Sequence, residues 1–231
     1  MSLEEIVWRV IPADMRDPGI IVAMDEVLQD FVGRRLSPPT LVLHHWKPSI
    51  SIARPQDVSD INQDKCNAYG VSIVRTTGGG CAVFHDGYRD MSYSAFFPVE
   101  EKISKSSTEF YYEFCDRLAK AVASLGMDIE MRGKHDFHVE GRKMGGNAQR
   151  LTRDCVMQHG ILLFDYTNYP IAEKTIRMMN NRAYSDADIE ELRSRLTWVK
   201  KHRPEVKLED IYKALTENMT LGSYFTGSLS E

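Results

Sequence analysis

The chain has 231 residues, 42% of them hydrophobic and 27% charged, which is ordinary for a globular protein of one large domain. Its formal net charge of −4 argues against a nucleic-acid-binding or membrane-surface protein, and no apolar run approaches the ~20 residues that span a bilayer. The acidic N-terminus lacks a signal-peptide pattern, and four scattered cysteines without zinc-site spacing predict a cytoplasmic protein without disulfides.

The first third of the chain predicts strands interleaved with helices. Residues 6–11 form a strand pattern that ends at Pro12, and hydrophobic residues then recur at helical spacing over 19–35. The apolar face predicted for this helix consists of Ile20, Ala23, Met24, Val27, Leu28 and Phe31. The next predicted elements are strands over 40–46 and 49–53, a short helix over 57–68 and a strand over 71–74.

The rest of the chain predicts a strand over 91–97 and a long helix that starts at a capping box, Ser106 and Glu109, and stops at Gly126. The apolar stripe of this helix is Phe110, Phe114, Leu118, Ala121, Val122 and Leu125. The later elements are strands over 129–131, 137–139, 143–149 and 157–164, a tight hairpin at Glu140-Gly141, and helices over 171–179, 185–200 and 208–219. This order predicts an α+β fold with a mixed or antiparallel sheet and flanking helices.

Residues 75–86, Arg-Thr-Thr-Gly-Gly-Gly-Cys-Ala-Val-Phe-His-Asp, carry the strongest functional pattern. Three consecutive glycines weaken any strand or helix, so they persist where the backbone turns sharply or lies against a ligand. Arg75 and His85 flank them and can supply charge and hydrogen bonds. Taken alone, the segment leaves a glycine-rich turn and a ligand-binding loop equally open.

A second group of polar residues lies within 133–160 and includes Asp136, Lys143 and His159. Lys143 stands between a predicted hairpin turn and two glycines, where its ammonium can reach over a phosphate or a polarised carbonyl. An isolated lysine of this kind is usually a surface residue. Its occurrence together with the glycine-rich segment favours a role in function.

The two segments together resemble the paired motifs of the lipoate–protein ligase family, within the wider group of biotin and lipoate attachment enzymes. The first motif is matched by Arg75, Thr77, Gly78, Gly79, Gly80, Ala82, Val83, His85 and Asp86. The second is matched by Asp136, Gly141, Arg142, Lys143, Gly146, Ala148, Gln149, His159 and Gly160. Weaker similarities, at residues 23–26, 46–56 and 192–197, extend the resemblance over roughly residues 20–200.

The resemblance implies a single catalytic domain over 1–231, with a ligase-like core at 4–200 and a short helical extension at 201–231. That extension is too short for the additional C-terminal domain of many ligases, which a separate accessory chain could supply. The implied reaction activates lipoate or octanoate with ATP and Mg²⁺ to an acyl-adenylate, without a protein-held metal. The acyl group then passes to a lysine of a lipoyl carrier, such as glycine cleavage H protein or the E2 chain of a 2-oxoacid dehydrogenase.

Site residues also follow from the resemblance. Lys143 is expected to contact the acyl carboxylate and the adenylate phosphate, and Asp136 to partner Lys143 or the attacking amine. Arg75 is expected to hold the acid or the phosphate, with a hydroxyl contact from Thr77. The residues expected to line or border the acyl pocket are Gly78, Gly79, Gly80, Val83, His85, Gly146, Ala148 and His159.

Three alternatives remain open. Octanoyltransferases of the same fold carry the acyl group on a cysteine, but neither the loop at 127–136 nor the neighbourhood of Arg177, where that thiol is expected, contains one. A biotin ligase is disfavoured by the His-Asp pair of the first motif, and a non-catalytic lipoate-binding module by the joint presence of both motifs.

Cys81 is one residue extra in the first motif, and we expect either a packed thiol at a bulge or a thiol facing the pocket.

Overall fold

The computed structural model describes residues 7–12, 14–79, 82–99, 107–133, 135–165, 187, 190–191 and 194–228. The strands are Trp8–Ile11 (β1), Met15–Arg16 (β2), Thr40–Trp46 (β3), Ser49–Ile52 (β4), Ser72–Arg75 (β5), Val83–His85 (β6), Asp90–Pro98 (β7), Glu130–Arg132 (β8), Asp136–Val139 (β9), Arg142–Leu151 (β10), Cys155–Leu163 (β11) and Tyr224–Thr226 (β12). The helices are Pro18–Gly33 (α1), Gln63–Ala68 (α2), Ser107–Ser124 (α3), Val199–His202 (α4) and Leu208–Thr220 (α5).

The larger of the two sheets runs in the order β12-β1-β3-β7-β11-β10-β9-β8, with β2 paired to β3. Along this order, each pair of neighbours in β3-β7-β11-β10-β9-β8 is antiparallel, whereas β12, β1 and β3 run parallel. A second sheet of three strands has the order β5-β4-β6. The predicted α+β fold with a mixed sheet and flanking helices is therefore confirmed.

Helices cover both faces of the larger sheet. Successive side chains of a strand point to opposite faces, so alternate residues of one strand belong to two different cores. Leu41 and Leu43 of β3 belong to the core formed with α3 and α5, whereas Val42 between them packs with α1. Phe97 and Phe96 of β7 divide in the same way. The smaller sheet has a separate core, made of Ile50, Ile52, Ile61, Cys66, Val71 and Phe84.

Most predicted elements agree with the structure, but two helices differ. The helix predicted over 57–68 is a 3-10 turn at Val58–Asp60 followed by α2, because the Asn62 side chain accepts a hydrogen bond from the Lys65 N–H and starts a new helix. The helix predicted over 185–200 is interrupted at 195–198, where Leu196 forms a β-bridge with Lys143.

The apolar face predicted for α1 is confirmed at Met24 and Leu28 and wrong at its other four residues. Ile20, Val27 and Phe31 are 55%, 53% and 44% exposed. The buried face consists of Met24 and Leu28 together with Pro18, Ile21, Asp25, Gln29 and Val32. The helix is thus rotated by about one residue relative to the prediction, which corresponds to ~100°.

The strands β2 and β12 were not predicted, because each is too short to show a repeating pattern. The predicted capping box at Ser106, the helix over 171–179, and the residues Gly80 and Cys81 lie outside the described residues. None of the helices that the structure describes is long and apolar enough to cross a membrane.

Candidate functional site

Lys143 and Asp136 form an ion pair across the hairpin that joins β9 to β10. The turn consists of Glu140 and Gly141, whose φ angles of 50° and 75° match the two-residue turn preferred between twisted strands. The pairing shifts by one residue between Lys143 and Gly145, which indicates a β-bulge. The Lys143 Nζ lies 2.7 Å from the Asp136 Oδ1, and the two side chains are 41% and 39% exposed. An ammonium and a carboxylate are thus held together while still open to a ligand.

Two glycines of β10 follow Lys143 and face different neighbours. A Cβ at Gly146 would lie 3.4 Å from the Asp136 Oδ1 and 3.5 Å from the Lys143 Cε, so the ion pair lies directly over this glycine. A Cβ at Gly145 would collide with the main-chain oxygen of Ile161 on β11. Gly145 is therefore required for close strand packing, whereas a Cβ at Gly146 would make ordinary van der Waals contacts with the charged pair.

The first glycine-rich segment contacts the second through Gly78. A Cβ at this buried glycine would stand 2.5 Å from the His159 Nε2. Gly79 is exposed, and a Cβ there would meet nothing within 4 Å. The structure thus joins the motifs at Gly78 and His159, with open space beside Gly79.

Two histidines lie at this junction. His159 on β11 pairs with Ala148 of β10, and burial lowers its pKa to about 4, with a smaller contribution from His85. His85 stacks on Trp46 with ring centroids 4.2 Å apart, and its Nε2 lies 3.0 Å from the Ser51 Oγ. His159 is therefore a neutral imidazole at neutral pH, which suits the wall of an acyl pocket better than an anion contact.

Arg75 makes contacts that the sequence did not predict. Its Nη1 donates to the main-chain oxygens of Ala53, Arg54 and Gln56 at 2.9, 3.0 and 2.7 Å. The guanidinium thereby holds the loop after β4, and contact with a carboxylate or phosphate would come from its other nitrogens. Thr77 and Val83 are half-buried on either side of the glycine run.

Three thiols belong to the described residues, and all three are buried: Cys66, Cys115 and Cys155. Burial raises the pKa of the Cys66 thiol, raises that of Cys115 to about 11 and raises that of Cys155 to about 12. A nucleophilic cysteine needs a lowered pKa and access to its substrate. These three thiols have neither property.

Hydrogen bonds from the buried residues Tyr111, Asn147 and Gln158 support the start of β9. The Tyr111 hydroxyl lies 2.8 Å from the His135 Nδ1, and the Asn147 N–H donates to the main-chain oxygen of His135 at 2.8 Å. Gln158 donates to the Asn147 side chain at 2.7 Å. This network fixes the residue immediately before Asp136. The sequence does not predict this network, since Tyr111 is outside the apolar stripe of its predicted helix.

Comparisons with known proteins agree with this geometry. Residues 17–220 match the family model described as lipoyl protein ligase A/B catalytic domain. The octanoyltransferase LipM of Halalkalibacterium halodurans is 27% identical over an alignment of 249 positions, which covers 93% of this chain and 86% of that protein. The lipoate-protein ligase LplJ of Bacillus subtilis is 31% identical over 156 residues, but these cover only 66% of this chain and 44% of that protein.

A solved structure shows the same fold. The archaeal bi-partite lipoate protein ligase of Thermoplasma acidophilum superposes with a TM-score of 0.78 at 16% identity, over 97% of this chain and 87% of that chain. The family match covers most of the chain, including both glycine-rich segments and the Lys143–Asp136 pair. The chain therefore belongs to the lipoyl protein ligase A/B catalytic domain family.

Proposed function

We propose that this protein transfers an octanoyl or lipoyl group to a lysine of a lipoyl carrier domain. The proposal depends chiefly on the half-exposed Lys143–Asp136 pair. The Lys143 ammonium would stabilise the negative charge that develops on the acyl oxygen when an amine attacks. Asp136 would orient Lys143 and accept a hydrogen bond from the incoming amine.

The pocket proposed for the acyl chain lies beside the glycine run. Gly79 has open space beside it, and Val83, Ala148 and the neutral His159 supply uncharged surface nearby. Such a lining suits a hydrocarbon chain, whose burial is favourable by about 25 cal/mol per Å² of apolar surface. Gly78 allows the loop to approach His159 closely and thus forms the end of this pocket.

The first donor we propose is an octanoyl thioester of a carrier protein, used without ATP. The support is the similarity to the octanoyltransferase LipM, which extends over 93% of the chain. Octanoyltransferases of this fold are expected to carry the acyl group on a cysteine, but the three described thiols are buried and have raised pKa values. We therefore propose direct transfer, in which the lysine amine of the lipoyl domain displaces the thiol of the donor, so an amide forms as the thioester breaks.

The second candidate is a lipoate–protein ligase that activates the free acid with ATP and Mg²⁺. The observation that favours it is the state of Cys66, Cys115 and Cys155, which are buried thiols with raised pKa values. An acyl-adenylate requires no thiolate, and Lys143 and Arg75 would then contact its phosphate. Mg²⁺ would enter with the nucleotide, since it commonly binds through phosphates and one or two carboxylates.

The carriers we propose are lipoyl domains of glycine cleavage H protein or of an E2 chain. The support is the Thermoplasma acidophilum structure, which is described as a bi-partite ligase with its E2 lipoyl domain. The same description supports a separate accessory chain for the ATP-dependent reaction.

One assay separates these possibilities. The protein is incubated with an apo lipoyl domain and octanoyl-carrier protein, octanoate with ATP and Mg²⁺, or lipoate with ATP and Mg²⁺. Each mixture is tested with and without a candidate accessory chain, and acylation is read by intact mass. Acylation of the lipoyl domain by octanoyl-carrier protein without ATP supports the transferase, and acylation only in the mixtures with ATP supports the ligase. Donor binding without product in every mixture would instead support a non-catalytic module.

A further inference from the structure

Lys143 lies where β10 loses its regular neighbour. The pairing between β10 and β11 begins at Gly145 opposite Leu162, and β11 ends one residue later. The main chain of Lys143 is bonded instead to a distant segment. Its N–H donates to the Arg195 oxygen at 2.8 Å, and its own oxygen accepts from the Thr197 N–H at 2.8 Å. We call residues 195–202 the clasp, since they replace β11 at this one position.

Further contacts stabilise the clasp internally and join it to the end of β11. Thr197 is fully buried, and its Oγ1 lies 2.6 Å from the His202 Nε2. The His202 Nδ1 faces the Glu140 carboxylate in the hairpin turn at 3.8 Å. The Lys200 N–H donates to the Phe164 oxygen at 2.9 Å, just beyond β11. The clasp is thus hydrogen-bonded to Lys143 and to the segment just beyond β11, and its His202 lies beside the hairpin turn.

The bulge next to Lys143 gives these contacts their importance. A bulge interrupts the regular ladder and re-aims the side chains beside it. The direction of the Lys143 side chain therefore depends on the two peptide planes that flank it, and the clasp bonds to both. A shift of the clasp would turn the ammonium away from Asp136 without disturbing β10 beyond Gly145.

We propose that Thr197 and His202 are positioning residues that hold Lys143 in its reactive orientation through the clasp. The proposal rests on the role given to Lys143 above. It predicts a loss in kcat with little change in KM, because the residues act on the lysine and lie outside the acyl pocket. A merely structural role predicts a loss of stability without that kinetic pattern.

The first test compares Thr197→Val with Thr220→Val. Both threonines are buried and each hydroxyl makes one short hydrogen bond, but Thr220 bonds to the Thr216 oxygen within α5. We expect Thr197→Val to lower kcat by about tenfold to a hundredfold, with both KM values changed less than about twofold. We expect Thr220→Val to lower the melting temperature by about as much as Thr197→Val does, but to leave kcat unchanged.

The second test uses His202. His202→Ala removes the ring that bonds the Thr197 hydroxyl, whereas His202→Gln keeps an amide at the position of Nε2. We expect the alanine variant to lose kcat as Thr197→Val does, and the glutamine variant to recover most of it. Equal losses in both variants would contradict positioning through this hydrogen bond.

Amide hydrogen exchange reads the clasp without any assay of activity. In Thr197→Val and His202→Ala, the amides of Lys143 and Thr197 should exchange at least about tenfold faster, while those of residues 146–150 keep their protection. Unchanged exchange at Lys143, or unchanged kcat in both variants, would overturn the proposal. Full activity of Lys143→Met would instead refute the proposed function, while the exchange data would still report whether the clasp holds this strand.

Discussion

The ion pair of Lys143 and Asp136 contributes far more to the proposed chemistry than to stability. Both side chains are about two-fifths exposed, and such pairs stabilise proteins by only ~0–1 kcal/mol. Removal of a group that stabilises charge at a reacting carbonyl costs about a hundredfold to a thousandfold in rate. The two effects differ enough to be separated by one substitution.

We predict that Lys143→Met lowers the transfer rate at least about a hundredfold and changes the free energy of unfolding by less than about 1 kcal/mol. The matched control is Lys120→Met on α3. Lys120 forms an ion pair with Asp116 at the same 2.7 Å, with the side chains 65% and 63% exposed. Single-turnover kinetics and urea unfolding would be measured for both. Equal rates in the two variants would remove Lys143 from the site.

The glycines of the two motifs allow a second prediction. Gly145→Ala should destabilise the protein by several kcal/mol, because the added methyl would meet main-chain atoms of β11 that cannot move aside. Gly79→Ala should fold normally, because the methyl enters open space. We expect weaker binding of octanoate in Gly79→Ala, measured by calorimetry. Unchanged octanoate affinity in a folded Gly79→Val, which carries a larger side chain, would place this glycine outside the acyl pocket.

Among the secondary-structure elements, α1 shows most clearly what a hydrophobic pattern can and cannot predict. The helix has two apolar stripes, and the stripe that contains Asp25 and Gln29 looks less suitable for burial. The structure nevertheless buries both residues, with Gln29 donating to the Arg150 oxygen and Asp25 lying beside Ser94. The partners lie on β10 and β7, so no pattern within the helix could identify the correct face.

Buried Asp25 gives a third prediction, which concerns pH. Burial raises its pKa from 3.8 to about 7. Between these values the unfolded chain releases the proton while the folded chain keeps it, so stability from this group falls as pH rises from about 4 to 7. Asp25→Asn removes the ionisable group. The stability of the variant relative to the parent should therefore increase over this pH range by a few kcal/mol.

The matched control for this prediction is Asp30→Asn on the same helix. Asp30 is exposed and pairs with Arg34 at 3.0 Å on the surface. Urea unfolding of the parent and both variants from pH 4.5 to 8.5 would test the prediction. The difference between Asp30→Asn and the parent should stay within about 0.5 kcal/mol throughout. A difference for Asp25→Asn that stays flat or declines with pH would contradict a raised pKa.

Within the site, the sequence predicts the hairpin turn but not the contact between the clasp and Lys143. Glu140-Gly141 between two predicted strands predicts the β9–β10 turn, and the structure gives both residues the positive φ that such a turn needs. The segment at 192–197 contributes only to the family resemblance, and its helical spacing predicts a helix that the structure does not have at 195–198. Its pairing with Lys143 spans more than fifty positions in sequence, and local patterns carry no information about such a contact.

At the scale of the whole molecule, the candidate site is divided between the two sheets. Arg75, Val83 and His85 belong to the smaller sheet, whereas Lys143 and His159 belong to the larger one. The smaller sheet has its own core around Cys66, and an isolated set of three strands buries less apolar surface than a sheet covered on both faces. We therefore expect the smaller sheet to open more readily than the larger one.

The buried cysteines make a fourth prediction testable without new labels. Cys66 lies in the core of the smaller sheet and Cys155 in the core beneath α1, and neither side chain is exposed. A thiol reagent should therefore modify Cys66 at least about tenfold faster than Cys155 under native conditions, with sites resolved by peptide mass spectrometry.

If the acyl group binds between the sheets, opening of the smaller sheet destroys the pocket. Octanoate at about 100 times its Kd should then slow the modification of Cys66 by up to about a hundredfold. A pocket confined to the larger sheet would leave the rate at Cys66 unchanged and slow only Cys155, and that result would contradict a site shared between the two sheets.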